Sequence, residues 1–307
     1  MKRIHLDTDL GSDTDDLSAL AMLLGWPEVE LTGVTTVSDP NGRRAAMTAY
    51  ALALAGRADV PVIAGAAGSL AGFTIELWIP AQYWPEPLEP RPSPPGAAVD
   101  ALVAAAERGD TIAAIGPWTN LALVEAARPG LLASTELVVM GGHVPPMREG
   151  YPPWEPAIDA NVQQDTFAAA VVLERCHPLV VPLAPCALVT VRRSQLDALR
   201  GGGALARLLA DQSEALADAQ RMDELGRTFP RLPDDLLNFQ YDPLACAVAA
   251  GWDGVTIQEL PVARTLRDGL LHLSIADGAP PVRLVTDVDA AAFDEAWLGA
   301  VLRASSR

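Results

Sequence analysis

The chain has 307 residues, half of them hydrophobic, and a formal net charge of −17, from 22 Lys plus Arg against 39 Asp plus Glu. That length and hydrophobic content suit one α/β domain over residues 1–307 with a substantial core, and they exclude a disordered chain. The negative balance argues against a nucleic-acid or anionic-membrane surface, which needs clustered positive charge, and is compatible with a neutral small-molecule substrate.

Three cysteines, Cys176, Cys186 and Cys246, show no metal-ligand spacing and read as buried thiols of a reducing, cytoplasmic compartment. No apolar run approaches the roughly 20 residues that span a bilayer. The chain enters its first strand directly, without the pattern of a secretory signal.

In chain order, a short strand through His5-Leu6-Asp7 runs into a glycine turn and then a helix from about Asp15 to Leu24. VELTGVTTV, ending at Val37, reads as a buried strand, followed by a turn at Ser38–Gly42 and a helix from Arg43 to Ala55. A short strand covers Asp59 to Gly65. Residues Gly65 to Gly96 break the rhythm with Trp78, Tyr83, Trp84 and seven prolines, as expected of a functional loop or lid.

The alternation resumes with a helix at Gly96–Arg108, a strand at Thr111–Ile115, a turn at Gly116–Asn120 and a helix from Leu121. A strand at Glu136–Met140 ends in Gly141-Gly142. A second loop runs from His143 to Asn161, followed by a helix at Gln164–Glu174 and a strand at Leu179–Leu183. Helices follow at Ser194–Leu199 and Leu205–Gln220, then a polar stretch from Arg221 to Asp235, and a helix opened by Asp242-Pro243. Short strands around Val255–Glu259, Leu270–Ser274 and Val282–Val285 precede a last helix at Ala290–Arg303. Strands alternating with helices predict a mostly parallel sheet covered on both faces, with its site at the carboxyl ends of the strands.

The densest chemistry lies at the first such end. Asp7, Asp9, Asp13, Asp15 and Asp16 fall within ten residues. Carboxylates this close repel, and a hard divalent cation on oxygen ligands is the simplest group that holds them together. Helix capping accounts for one or two of them, not five. A calcium-binding EF-hand loop is excluded, because Ser12 and Ser18 stand where it needs Gly and Glu. A phosphatase with an Asp nucleophile shares the D-x-D pattern, but it needs a lysine near a later strand end, and the only lysine is Lys2.

Six motifs occur in order: Asp7-Thr8-Asp9 with Asp15-Asp16; Thr36-Val37 with Asp39; Gly116-Pro117-Trp118-Thr119-Asn120; Met140-Gly141-Gly142; Asp159-Ala160-Asn161 with Asp165; and Tyr241-Asp242-Pro243-Leu244-Ala245. Over Arg3 to Ala250 the chain resembles the nucleoside hydrolase family, of the inosine-uridine-preferring type. The resemblance implies a Rossmann-like α/β architecture and calcium-dependent hydrolysis of the N-glycosidic bond of a ribonucleoside to ribose and free base. It places Ca²⁺ on Asp9, Asp16, the Thr119 carbonyl and Asp242, with Asp9 also the general base. It assigns Asp15 and Asn161 to the ribose hydroxyls, puts Asp159 where the family has Glu, and sets Asp7 behind the site. It also implies a homodimer or homotetramer. The residue types suit the chemistry: an oxocarbenium-like state needs an activated water, a cation to lower its pKa and a carboxylate to take its proton.

The chain departs from that pattern in three places, one of them the missing His-Gly motif of the first loop. Asp13-Thr14 lengthen the turn, so the roles of Asp13, Asp15 and Asp16 stay interchangeable. Tyr241 stands where the family's leaving-group acid is a histidine, and none of His5, His143, His177 and His272 matches that place. A purine-specific branch instead stacks the base between aromatic rings. Tyr241 fits one such ring, and Trp78, Trp84 or Trp154 the other. Asp39 resembles that branch's acidic ribose contact, with Asn41 beside it and Met140, at the end of the Glu136–Met140 strand, as further substrate contacts. The resemblance therefore leans toward purine nucleosides. The alternative is a homologue that binds a nucleoside, or a modified one, without turnover.

Overall fold

A computed structural model describes residues 1–71, 84 and 87–304. In chain order the elements are β1 (Lys2–Thr8), α1 (Asp15–Gly25), β2 (Val29–Thr36), α2 (Arg43–Leu54), β3 (Val62–Ala64), α3 (Ala97–Glu107), β4 (Thr111–Ala114), α4 (Thr119–Ala127) and β5 (Leu137–Met140). Next come α5 (Ala160–Gln163), α6 (Thr166–Arg175), β6 (Leu179–Val181), α7 (Leu183–Cys186), β7 (Thr190–Arg192), α8 (Leu196–Gly201), α9 (Ala204–Gln220) and α10 (Met222–Thr228). The rest are β8 (Leu236–Phe239), α11 (Tyr241–Ala249), β9 (Val255–Arg267), β10 (Leu270–Ile275), β11 (Pro281–Val288) and α12 (Ala290–Ala304).

Nine strands form one sheet in the order β10-β9-β11-β6-β5-β4-β1-β2-β3. The run from β11 to β3 is parallel, and β9 pairs antiparallel with both β11 and β10. The predicted mostly parallel, Rossmann-like sheet is therefore present. Successive residues on each strand face opposite cores. Ala113, Ile115, Val138 and Met140 join one hydrophobic cluster, while Ile112, Ala114, Leu137 and Val139 join the other. Both faces are covered, as a parallel sheet requires. Helix α1 is buried along its whole length, so its LSALAMLLG run needs no polar face.

Strand order reverses between β1 and β4. From β1 the chain proceeds outward through β2 and β3, then returns to β4 on the other side. In open α/β sheets a crevice forms at such a reversal, beyond the carboxyl ends of the strands.

Several boundaries differ from the expectation. The helix expected at Gln164–Glu174 is α6, where Asp165 caps the start by accepting from Ala168 N–H, and the short α5 precedes it, capped by Asp159 accepting from Val162 N–H. The polar stretch after Arg221 contains α10, and β7 and β8 form a small antiparallel pair. Strands β7 and β8, three and four residues long and outside the alternating β-α rhythm, carry too few alternations to read from sequence. Strand β9 runs on past Pro261, where it stops pairing with β11 and pairs with β10 instead.

Candidate active site

Strand β1 ends at Thr8, and the next eight residues build one wall of the crevice. Gly11 takes a φ of 132°, a conformation that favours glycine, and lets the turn double back into α1. The Thr8 hydroxyl accepts from Leu10 N–H and donates to an Asp16 carboxylate oxygen, which aims that side chain. Asp13 accepts from its neighbour Thr14 N–H (2.5 Å) and from Asn238 Nδ2 (2.6 Å), which ties the lengthened turn to β8.

A cavity of about 350 Å³ opens here, large enough for a nucleoside-sized ligand. Asp9, Asp13, Asp15, Asp16 and Asp242 line it on one side. Among the described residues, Asp15, Asp16 and Asp242 present ligand oxygens all within 4.8 Å of one another. Burial, and then the neighbouring carboxylates, push the Asp15 and Asp242 carboxyls far above their ordinary range. Asp16 shifts the same way through burial and Asp9. Three buried acids that resist ionising together fit a hard divalent cation, whose charge removes the conflict.

Asp9 lines the same cavity but stands outside this group of three. One of its oxygens lies 3.7 Å from Arg44 Nη2, and the other lies against Gly116. A Cβ at Gly116 would meet Asp9 Oδ1 at 2.9 Å, so the close approach of β4 to Asp9 requires glycine there. Asp7 is fully buried behind the cavity, where Thr35 Oγ1 (2.5 Å) and Asn120 Nδ2 (2.8 Å) donate to one of its oxygens. Its other oxygen has no partner among the described residues. Burial raises the Asp7 carboxyl to about 7.

Met140, Asp159, Asn161 and Tyr241 also line the cavity. Asn161 Nδ2 donates to the Ile115 carbonyl at 2.6 Å, which fixes the amide. Asp159 accepts from Gly142 N–H at 2.6 Å, and burial raises its carboxyl to about 6. Tyr241 packs with Phe239 and Trp154, ring centroids 5.6 and 5.7 Å away, in an aromatic wall.

Other expected contacts lie elsewhere. Trp154 lines a neighbouring cavity rather than this one. Trp84 is buried against Tyr50, and Asn41 is exposed outside the cavity. Asp39 is occupied by Thr36 Oγ1 and by the N–H groups of Arg44 and Ala45, so it caps α2. Thr119 opens α4, and its hydroxyl, a different atom from the carbonyl expected on the cation, donates to Asp165. Trp78 lies outside the described residues. Lys2 pairs with Glu136 at the start of β1, the opposite end of the sheet from the acids, so no phosphatase lysine reaches the site. Sequence reading missed Ser12, Gln164, Asn238 and Arg44, which carry no motif signal.

An uncharacterized protein of Schizosaccharomyces pombe is 33% identical over 191 residues, 58% of this chain and 60% of that protein. The pyrimidine-specific ribonucleoside hydrolase RihA of Photobacterium profundum is 28% identical over 204 residues, 63% of this chain and 62% of that protein. The chain thus spans about three fifths of the length of these relatives. The solved purine-preferring ribonucleoside hydrolase of Gardnerella vaginalis shares the fold, with a TM-score of 0.78, 22% identity and 100% of both chains covered. The family model of inosine-uridine preferring nucleoside hydrolases matches residues 4–295, and the chain belongs to that family.

Proposed function

We propose that the protein hydrolyses the N-glycosidic bond of ribonucleosides, with calcium, and favours purine bases. The observation that carries this reading is the presence in one cavity of a three-acid group, an anchored asparagine and an aromatic side chain. Asp15, Asp16 and Asp242 would hold the cation, and their hard oxygen donors suit calcium better than a softer metal. When bound, calcium supplies a Lewis acid for the attacking water and the sugar hydroxyls.

Asp9 accepts the proton of the water that attacks the anomeric carbon. The glycosidic bonding pair leaves on the base nitrogen, and a single displacement inverts the anomeric centre. Asn161 and Asp159 orient the ribose. Tyr241, backed by Phe239 and Trp154, stacks on the base. Among the described residues no histidine lines the cavity, which favours departure by stacking over departure by an imidazolium acid. The names of the relatives point both ways on the base, so Tyr241 carries the purine preference.

Residues 1–307 are read as one domain that acts as a homodimer or homotetramer. The three free, buried cysteines support a reducing, cytoplasmic location. Among the described residues no helix is long and apolar enough to cross a membrane.

The test is kcat/KM for purine and pyrimidine ribonucleosides with calcium present. Stacking worth about 1–1.5 kcal/mol predicts a purine preference of about tenfold. A pyrimidine preference overturns the base assignment. Tight nucleoside binding with no sugar released from any substrate overturns hydrolysis in favour of a binding protein.

A further inference from the structure

Gln164 is the C-cap of α5 and lines the same cavity as the acids. It lies three residues after Asn161 and keeps a helical backbone, so both side chains leave one face of that turn, about 5 Å apart at their roots. The neighbouring polar side chains are committed to the protein. Asp159 accepts from Gly142 N–H and Val162 N–H, and Asp165 from Leu70 N–H and the Thr119 hydroxyl. Gln163 Nε2 donates to the Leu271 carbonyl at 3.0 Å, and its Oε1 accepts from Leu271 N–H at 2.9 Å. Gln164 makes no side-chain hydrogen bond among the described residues, and its Oε1 is buried without a partner.

An acceptor buried without a partner is costly, and it calls for a ligand or a water to supply the donor. Gln163 shows what a glutamine of this turn does when its role is structural, because both ends of its amide are used. A carboxamide sets one donor beside one acceptor. The cavity already holds groups for most of a nucleoside. In the reading above, the acids and Asn161 meet the sugar, and Tyr241 meets the face of the base. The edge of the base is left, and Gln164 brings to it an amide with both ends uncommitted.

Resting on the purine-hydrolase reading above, we infer that Gln164 is a specificity residue that reads the base edge and selects 6-aminopurine nucleosides over 6-oxopurine ones. Its Nε2 donates to N7 of the purine, and the 6-amino group donates to its Oε1. A 6-oxopurine presents two acceptors on that edge, so it meets Nε2 but leaves Oε1 facing an oxygen. No proton is transferred in this contact. As the glycosidic bonding pair moves onto the base, N7 becomes a stronger acceptor, and the hydrogen bond from Nε2 strengthens with it.

The test uses the full chain with calcium. For wild type, Gln164→Leu and Gln164→Glu, kcat/KM is measured for sugar release from adenosine, inosine and 5′-deoxyadenosine. Wild type is expected to favour adenosine over inosine by about tenfold, and Gln164→Leu to lower that ratio by about tenfold. Gln164→Glu keeps the length but replaces the donor with a second acceptor, and is expected to lose about tenfold on adenosine. Adenosine and 5′-deoxyadenosine should lose the same factor in Gln164→Leu, because the contact is with the base. A residue that only shapes the cavity would lower adenosine and inosine alike. An unchanged adenosine-to-inosine ratio in folded Gln164→Leu therefore overturns the inference, as does a wild-type preference for inosine. A loss seen with adenosine but absent with 5′-deoxyadenosine moves the contact to the sugar and overturns it too. Should Gln164→Leu not fold, Gln164→Glu is judged by the same ratio. If wild type releases sugar from neither purine nucleoside, the purine-hydrolase reading falls, and calorimetric dissociation constants for adenosine and inosine decide the role of Gln164 by the same ratio; binding of neither overturns it.

Discussion

Raising the pH of the metal-free protein from about 5 to about 8 should destabilise it, and calcium should reverse the loss. Burial lifts the Asp7 carboxyl to about 7 and that of Asp159 to about 6. Asp15, Asp16 and Asp242 shift in the same direction. Each folded pKa lies above its unfolded value of about 4, so over this window the folded state binds more protons than the unfolded one. Stability is therefore full below about pH 4 and is lost as pH rises through 6 and 7.

At about 1.4 kcal/mol per unit, the two units from pH 5 to the Asp7 value account for about 3 kcal/mol and the one unit to the Asp159 value for about 1 kcal/mol. For a chain of this size the unfolding entropy makes about 1 kcal/mol worth roughly 1.5 °C, so Tm in chelator should fall by roughly 6 °C or more. Calcium at about a hundred times its Kd should return about 2.7 kcal/mol near pH 8, where the acids are ready to ionise, and much less near pH 5, where protons compete. Differential scanning calorimetry on wild type and Asp7→Asn reads this directly. The asparagine carries no charge at any pH and should flatten the slope by the share of Asp7. A Tm that rises with pH in chelator, a slope unchanged in Asp7→Asn, or equal stabilisation by calcium at both pH values would refute the reasoning.

Three further outcomes follow from the site. Gly116→Ala puts a methyl group 2.9 Å from Asp9 Oδ1 and 2.6 Å from Val37 Cγ1, and should cost about ten- to a hundredfold in kcat by displacing the base; steady-state kinetics checks it. Asp242→Asn removes one of the three grouped acids and should weaken calcium binding by about a hundredfold or more, read by calorimetric titration; unchanged affinity would place the cation elsewhere. Tyr241→Phe keeps the ring and should leave the base preference intact, whereas Tyr241→Ala should lose about tenfold in kcat/KM for purine nucleosides and less for pyrimidines.

The sheet was legible because its strands are apolar runs buried on both faces and set between helices and turns, as at Thr111–Ala114 and Leu137–Met140. The acids were legible because five of them crowd one strand end, where capping explains only one or two. What local sequence did not show is which acids meet. The carboxylates of Asp15, Asp16 and Asp242 converge only after α1 and α11 are brought side by side across more than two hundred residues. Asp39 looked like a ribose contact because of its place after β2, yet the N–H groups of Arg44 and Ala45 claim it first, an ordinary use of Asp at a helix start. Trp84 looked like a stacking ring, but its hydrophobic area is satisfied against Tyr50. Arg44 and Asn238 escaped notice because a single Arg in a helix or Asn in a strand carries no signal until the fold sets it beside Asp9 or Asp13.

The central claim is that these acids hydrolyse a nucleoside, with Asp9 taking the proton of the attacking water. Reducing-sugar release from a purine ribonucleoside tests it most directly, measured for wild type and Asp9→Asn with calcium and with excess chelator. The account predicts release by wild type with calcium, loss of that release on chelation, and a fall of about a thousandfold or more in Asp9→Asn. Release that persists in Asp9→Asn at the wild-type rate, or that ignores the chelator, would contradict it.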